Sequence, residues 1–261
     1  MSSSTKTVAI IGFFVHSIFQ AYNIPKASGN IGAPCVSELQ NAGFRSAFAG
    51  QDGVVYMVSA DSTNQQKLMV DSALASGVKR FMPSEFEPVI RGKLDLLDYL
   101  EEKSENNPEF AWTRVSTGLF YEWTLTTGHS RLDKHGKTAT VLDSGNERFH
   151  ASSHHFVGKA VATILAKPDL TKNQFVTAAS FTATQNELIR CAEEVTGKKW
   201  TVSRMKSEDV RKAALRRLAE SGPTKAYEAY GNLLGVFIFD DGAGAHAKPR
   251  ETDNEALRLH S

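Results

Sequence analysis

Thr7-Val8-Ala9-Ile10-Ile11-Gly12 and Ala27-Ser28-Gly29-Asn30-Ile31-Gly32 decide how this chain folds, and fourteen residues separate them. The first stretch reads as a short buried strand ending in glycine. The second, continued by Ala33-Pro34-Cys35-Val36-Ser37-Glu38-Leu39, reads as a tight turn opening a helix. Joined without Phe13 to Lys26, they spell V-A-I-I-G-A-S-G-N-I-G-A-P: a strand, glycines spaced G-x-x-G-x-x-G, and a helix. Such a turn points backbone N–H groups and the positive end of the helix at a dinucleotide pyrophosphate. The residues offered for that contact are Gly12, Ser28, Gly29, Asn30, Ile31 and Gly32.

Bulk properties bound the rest. The 261 residues suffice for one large domain with a smaller lobe and a sizeable core. Thirty basic and 29 acidic residues leave a net charge of +1, which supplies no argument for a nucleic acid or a membrane surface as partner. Cys35 and Cys191 are too few and too far apart for a disulfide framework or a metal cluster. Met-Ser-Ser-Ser-Thr-Lys runs straight into the first strand, so no cleavable signal is read there. No apolar run approaches the roughly 20 residues that span a bilayer. The expectation is a soluble, cytoplasmic protein.

Beyond the split motif, strands alternate with helices. Pro34 to Ala42 is a helix stopped by Gly43. Gly53 to Val58 is an unbroken apolar run that suits a parallel strand buried on both faces. A helix from Asn64 to Ser76, a strand from Val78 to Pro83, a helix from Lys93 to Asn106 and a strand from Phe110 to Ser116 follow. From Lys137 the pattern changes: strands at 138–142, 175–179 and 200–203 mix with helices at 152–166, 185–196 and 207–220. Leu188, Ile189, Ala192 and Val195 line one face of the helix at 185–196. The fold class expected is α/β, a mostly parallel sheet over residues 5–136 with a smaller α+β lobe over 137–261, integrated with the first part and closing over the end of the sheet.

Several separate stretches resemble one family. The rejoined V-A-I-I-G-A-S-G-N-I-G and Ala75-Ser76-Gly77-Val78-Lys79-Arg80-Phe81-Met82-Pro83-Ser84-Glu85-Phe86 resemble the NmrA-like and isoflavone-reductase-like branch of the short-chain dehydrogenases. Leu97-Asp98-Tyr99-Leu100, Trp112-Thr113 before Thr117-Gly118-Leu119-Phe120, Gly158-Lys159-Ala160-Val161-Ala162, Ala179 to Glu187 and Asp253-Asn254-Glu255 extend the resemblance over nearly the whole chain. It implies a Rossmann-like domain binding NADPH, in preference to NADH, and a smaller substrate lobe, with no metal. It also implies hydride transfer to a small, possibly aromatic substrate, with the protein as monomer or homodimer. Ser84, Glu85 and Phe86 follow the carboxyl end of a strand, where ligands bind in open α/β sheets, and belong beside the nicotinamide. Gly118 and Phe120 border the substrate cleft by the same resemblance.

The chain departs from the family in three places. Phe13 to Lys26 is an apolar, aromatic insert at the phosphate turn, read either as a mis-joined gene segment or as a surface loop that lets the motif halves close. Between Gly43 and Gly53 only nine residues remain where a second strand, a helix and a third strand belong. The lost strand normally ends in the groups that recognise the adenosine ribose. Asp52 lies 20 residues after Gly32, the spacing of a ribose-binding acid, but Gly50-Gln51-Asp52 matches a turn entering a strand. Without those strands the first strand becomes an exposed edge, so poor solubility or low thermal stability is expected. Finally, Arg91 stands where the family places its reactive lysine, with Lys93 two residues later. Arginine stabilises negative charge but stays protonated, which leaves Lys93 as the candidate acid.

His150, His154 and His155 lack a carboxylate at ligand spacing and are read as surface or packing residues, so no metal is expected. Tyr56 belongs to no Y-x-x-x-K pair, because position 60 is Ala60. Three functions stay open at this point: a dinucleotide-dependent reductase, a non-catalytic dinucleotide-binding regulator or redox sensor, and a defective gene product without cofactor binding.

Overall fold

The computed structural model describes residues 8–12, 51–57, 66–84, 92–220, 223–242 and 252–260. The insert at 13–26, the helix expected at 34–42 and the residues Ser28, Gly29, Asn30, Ile31, Gly32, Glu85, Phe86 and Arg91 lie outside the described residues. Contacts divide the chain into two interleaved compact units. One comprises 1–117, 154–179 and 252–261, the other 118–153 and 180–251.

The first unit is built on a parallel sheet of β1 (Val8–Gly12), β2 (Gly53–Met57), β3 (Arg80–Met82), β4 (Ala111–Ser116) and β9 (Gln174–Thr177), in that spatial order. Every pairing is parallel. Helices α1 (Gln66–Ala75) and α2 (Gly92–Asn106) make the crossovers from β2 to β3 and from β3 to β4. In β2 all five residues are buried. Successive side chains of a strand point to opposite faces, so burial of the whole run means that both faces are covered. Val54 and Tyr56 pack with Phe81, Trp112, Val70, Ala73, Leu96 and Leu100, which places α1 and α2 over one face. Helix α4 (His154–Ala166) buries Phe156, Val157, Ala160, Val161, Ile164 and Leu165, and the short α5 (Pro168–Thr171) leads into β9.

Among the described residues β1 pairs with β2 alone, so it ends the sheet as the short link before Gly53 implies. Asp52 forms the bend before β2, where its carbonyl accepts the N–H groups of Lys79 and Arg80 at 3.0 Å each. It serves the turn. At the opposite edge, β9 is extended by the C-terminal tail. Asp253 N donates to Thr177 O and Thr177 N to Asp253 Oδ2, both at 2.7 Å. Asn254 then bonds both backbone groups of Ala179 through its side-chain amide. The alternate residue, Ala178, donates inward to Ser116 O at 2.9 Å. A strand alternates its hydrogen-bonding edges in this way.

The second unit holds two three-stranded sheets. One contains β5 (Leu119–Phe120), β8 (Phe149–Ser152) and β10 (Phe181–Ala183), with β8 central. The other contains β6 (Leu132–Asp133), β7 (Thr138–Leu142) and β11 (Thr201–Met205), with β7 central. Around them lie α3 (Tyr121–Thr127), α6 (Gln185–Thr196), α7 (Ser207–Glu220) and α8 (Pro223–Phe239). Phe149 meets Phe239 edge-on at 5.0 Å inside a cluster with Leu142, Val210 and Val236. Helix α6 starts with a capping box, in which Thr184 accepts Glu187 N and Glu187 accepts Thr184 N. Its apolar face is shorter than the sequence implies: Ile189 is buried, whereas Val195 is 81% exposed. Val195 follows Leu188 by about two turns and so keeps its face, but it stands at the end of the helix, beyond the core that buries Ile189. Helix α8 carries no expectation from periodicity, because its apolar residues are spread around the axis rather than confined to a stripe.

Candidate functional site

The sheet register gathers the polar groups at one end of the first unit. Gly12 pairs with Met57, and Val55 with Met82. Ser84, two residues beyond Met82, therefore lies at the same end of the sheet as Gly12 and Met57. This is the carboxyl end, where the strands of an open parallel sheet leave a crevice for ligands.

Ser84 is buried, and its N–H donates to Gln66 Oε1 at 2.9 Å. Gln66 opens α1 and is 0% exposed. Its carbonyl end holds the chain as it leaves β3, while Nε2 has no acceptor among the described residues. A buried amide without an acceptor costs about 1–3 kcal/mol, so the carboxyl end of the sheet carries a donor in want of a partner. Sequence reasoning missed Gln66. Gln66 stands among polar residues at a helix start, and nothing local marks it; only the folded register brings it to Ser84.

Lys93 is the second residue of α2, the helix that starts at Gly92. Gly12 and Ser84 thus share the sheet end, whereas Gly118 and Phe120 belong to the second unit. Phe120 is buried in β5, preceded by Gly118 at φ 69°. Leu119 pairs with Ala151 in parallel, which brings Gly118 level with His150. A Cβ on Gly118 would stand 2.8 Å from His150 Cβ and nearer still to the His150 carbonyl.

Other titratable groups do structural work. Tyr56 is buried against Phe81, ring centroids 6.4 Å apart, and burial pushes its hydroxyl pKa up. Arg80 reaches from β3 to α5, where Nη2 donates to Pro168 O at 2.6 Å and Thr171 Oγ1 at 3.1 Å. Burial lowers its pKa, and Asp169 opposes that shift. His150 is buried with Nδ1 2.8 Å from Thr182 Oγ1, so it packs between β8 and β10. Among the described residues no three His, Cys, Asp or Glu side chains are placed to hold a metal ion. No described helix is long and apolar enough to cross a membrane.

A parallel sheet with helical crossovers, a glycine closing its first strand and polar groups at the carboxyl end define a Rossmann-like α/β protein. The profile of the NmrA-like family matches residues 37–229, and the chain belongs to that family. Oxidoreductase poxI of Penicillium oxalicum is 28% identical over 268 aligned positions, covering 83% of this chain and 82% of that protein. Among solved structures, an isoflavone reductase superposes with a TM-score of 0.58 at 18% identity, over 97% of this chain and 90% of its own. The leucoanthocyanidin reductase–NADPH binary complex from Vitis vinifera gives 0.66 at 17% identity, over 89% of this chain and 86% of its own. These two likenesses concern the fold.

Proposed function

We propose that this chain is an NAD(P)-dependent oxidoreductase of the isoflavone-reductase-like type, which transfers hydride from NADPH to a small, aromatic substrate. The observation that carries the proposal is the carboxyl end of the sheet, which Gly12, Met57 and Ser84 share and where Gln66 Nε2 is a buried donor with no acceptor among the described residues. That donor, next to a backbone turn fixed at Ser84, fits the polar edge of a nicotinamide ring. Family membership, the oxidoreductase name of the Penicillium relative and the NADPH in the Vitis complex support the same reading.

When bound, NADPH supplies the hydride; the chain binds, orients and balances charge. Backbone N–H groups at Gly12, Ser28, Gly29, Asn30, Ile31 and Gly32 would hold the pyrophosphate. Ser84, Glu85 and Phe86 would flank the nicotinamide, and Gly118 and Phe120 would border the substrate. Lys93 donates the proton that balances the charge left on the substrate, and Arg91 stabilises that charge.

The second reading, a regulator that binds the dinucleotide without turnover, is favoured by Arg91 at the position of the family's lysine. Titration of the purified chain with NADPH and NADH, followed by nicotinamide fluorescence, separates the two. Micromolar binding with substrate-dependent oxidation is expected. Binding with no oxidation across a panel of aromatic substrates would favour the regulator. No binding at millimolar cofactor would overturn both and leave a defective product.

A further inference from the structure

In the second unit, the chain entering β6 holds a cation, Arg131, that has no counter-ion among the described residues. Arg131 adopts a left-handed backbone conformation, φ 59°, which few residues other than glycine take up. Its guanidinium rests on α8 at Gly235, where a Cβ would come 2.9 Å from both Nε and Nη2. Nη2 donates to Asn232 Oδ1 at 3.1 Å, a neutral acceptor. Among the described residues no carboxylate pairs with Arg131, and burial alone lowers its pKa. A partly desolvated guanidinium ordinarily takes a carboxylate partner.

The neighbouring titratable group adds to the imbalance. His129 stacks on Trp123 with ring centroids 4.7 Å apart, and Nδ1 lies 2.7 Å from Thr127 Oγ1. Burial, and then the charge of Arg131, hold its imidazole below the ordinary value. Two cation-forming groups therefore share one patch.

Arg131 lines an open cavity of about 270 Å³ together with Gly128, Leu132, Asp133, Thr138 and Thr140. Asp133 is the acidic member, but its carboxylate serves the hairpin turn. It accepts His135 N at 2.9 Å and the backbone N–H of Gly136. Thr140 Oγ1 is engaged with Ser203 Oγ at 3.1 Å. Thr138 is exposed at the start of β7.

We infer that this cavity binds a small oxyanion, a carboxylate or phosphate group, with Arg131 as its charged anchor and the Thr138 hydroxyl as a second donor. An oxyanion there takes a charge-assisted, fork-shaped contact from the guanidinium. It also offsets the crowding of Arg131 and His129. The site lies wholly within the second unit and does not depend on the reductase reading.

The test uses the full chain without cofactor, at constant ionic strength, with sodium chloride replaced stepwise by sodium phosphate or sodium acetate. Two signals are read by NMR: the Arg131 Nε–H resonance and the His129 ring titration. At millimolar anion the Arg131 resonance is expected to shift and the His129 pKa to rise. Both responses should vanish in Arg131→Leu, which should itself raise the His129 pKa with no anion present. Arg131→Gln replaces that variant if its amide spectrum shows loss of fold. Thr138→Val should weaken binding several-fold. A response to phosphate alone assigns a phosphate ligand, a response to acetate alone a carboxylate, and either result supports the site. No response at tens of millimolar, or the same response in the Arg131 variant, overturns it.

Discussion

Replacing Gly118 by alanine tests the close approach of β5 to β8. The substitution carries two separable costs. A side chain at φ 69° costs about 1–2 kcal/mol for the left-handed backbone. The new Cβ would also lie 2.8 Å from His150 Cβ and closer to the His150 carbonyl, a separation that real Cβ atoms do not show. His150 belongs to the central strand of its sheet, held by β5 on one side and β10 on the other, so it cannot yield freely. Overpacking of this kind adds about 1–3 kcal/mol. The total is about 2–5 kcal/mol, or roughly 4–20 °C in Tm for a protein of this size. Gly128→Ala is the matched control in the same unit: its φ is 78°, yet nothing lies within 4 Å of the added Cβ. It should lose only the backbone component of about 1–2 kcal/mol. Thermal and urea unfolding of both variants, followed by near-ultraviolet circular dichroism, measure the difference. His150→Ala added to Gly118→Ala should not restore stability, because the nearest atoms belong to the His150 backbone. Equal losses at Gly118 and Gly128, or rescue by His150→Ala, would refute the reasoning.

Three further substitutions probe the scaffold. Asn254→Ala strips both partners from the backbone of buried Ala179 and should cost about 1–3 kcal/mol; Asn254→Asp, which keeps the acceptor, should fall between it and the parent in urea melts. Thr184→Ala removes the capping box of α6 and should cost about 1 kcal/mol by the same assay. Asp143 gives a dependence on acid: burial pulls its pKa up, but hydrogen bonds from Ser207 and from the Asp241 N–H outweigh that and hold it low. A depressed carboxyl contributes stability that is present above the unfolded pKa near 3.9 and disappears as pH falls through the lower folded value. Melts of Asp143→Asn across that acid range should therefore show a shallower loss of stability than the parent.

The parallel sheet was legible because local hydrophobicity encodes it. Val54-Val55-Tyr56-Met57 admits no amphipathic helix; the strand read from 53 starts there, and the bounds read for the strands at 78–83 and 110–116 differ from the observed ones by one or two residues. The helix at 185–196 was legible from the spacing of Leu188, Ile189, Ala192 and Val195, while the capping box of Thr184 and Glu187 went unread. Val195 was misplaced, because 3.6-residue periodicity gives a face without saying how far the neighbouring sheet extends beneath it. Helix α8 was missed for a related reason: its first part mixes Glu228, Gly231 and Asn232 among apolar residues and Val236 to Phe239 is continuously apolar, so no period marks it as helix or strand.

By itself the sequence determined the ancestry, the alternation of strands and helices and the shortened link after the glycine turn. All three are written in neighbouring residues, where spacing and side-chain type are sufficient. The tertiary structure alone decided that Gln66 holds Ser84, that Asp253 and Asn254 close the free edge of β9, and that Arg131 meets an asparagine among the described residues. Each joins residues 18 to 101 positions apart. Such contacts depend on strand register and helix rotation, and only the packed chain sets those.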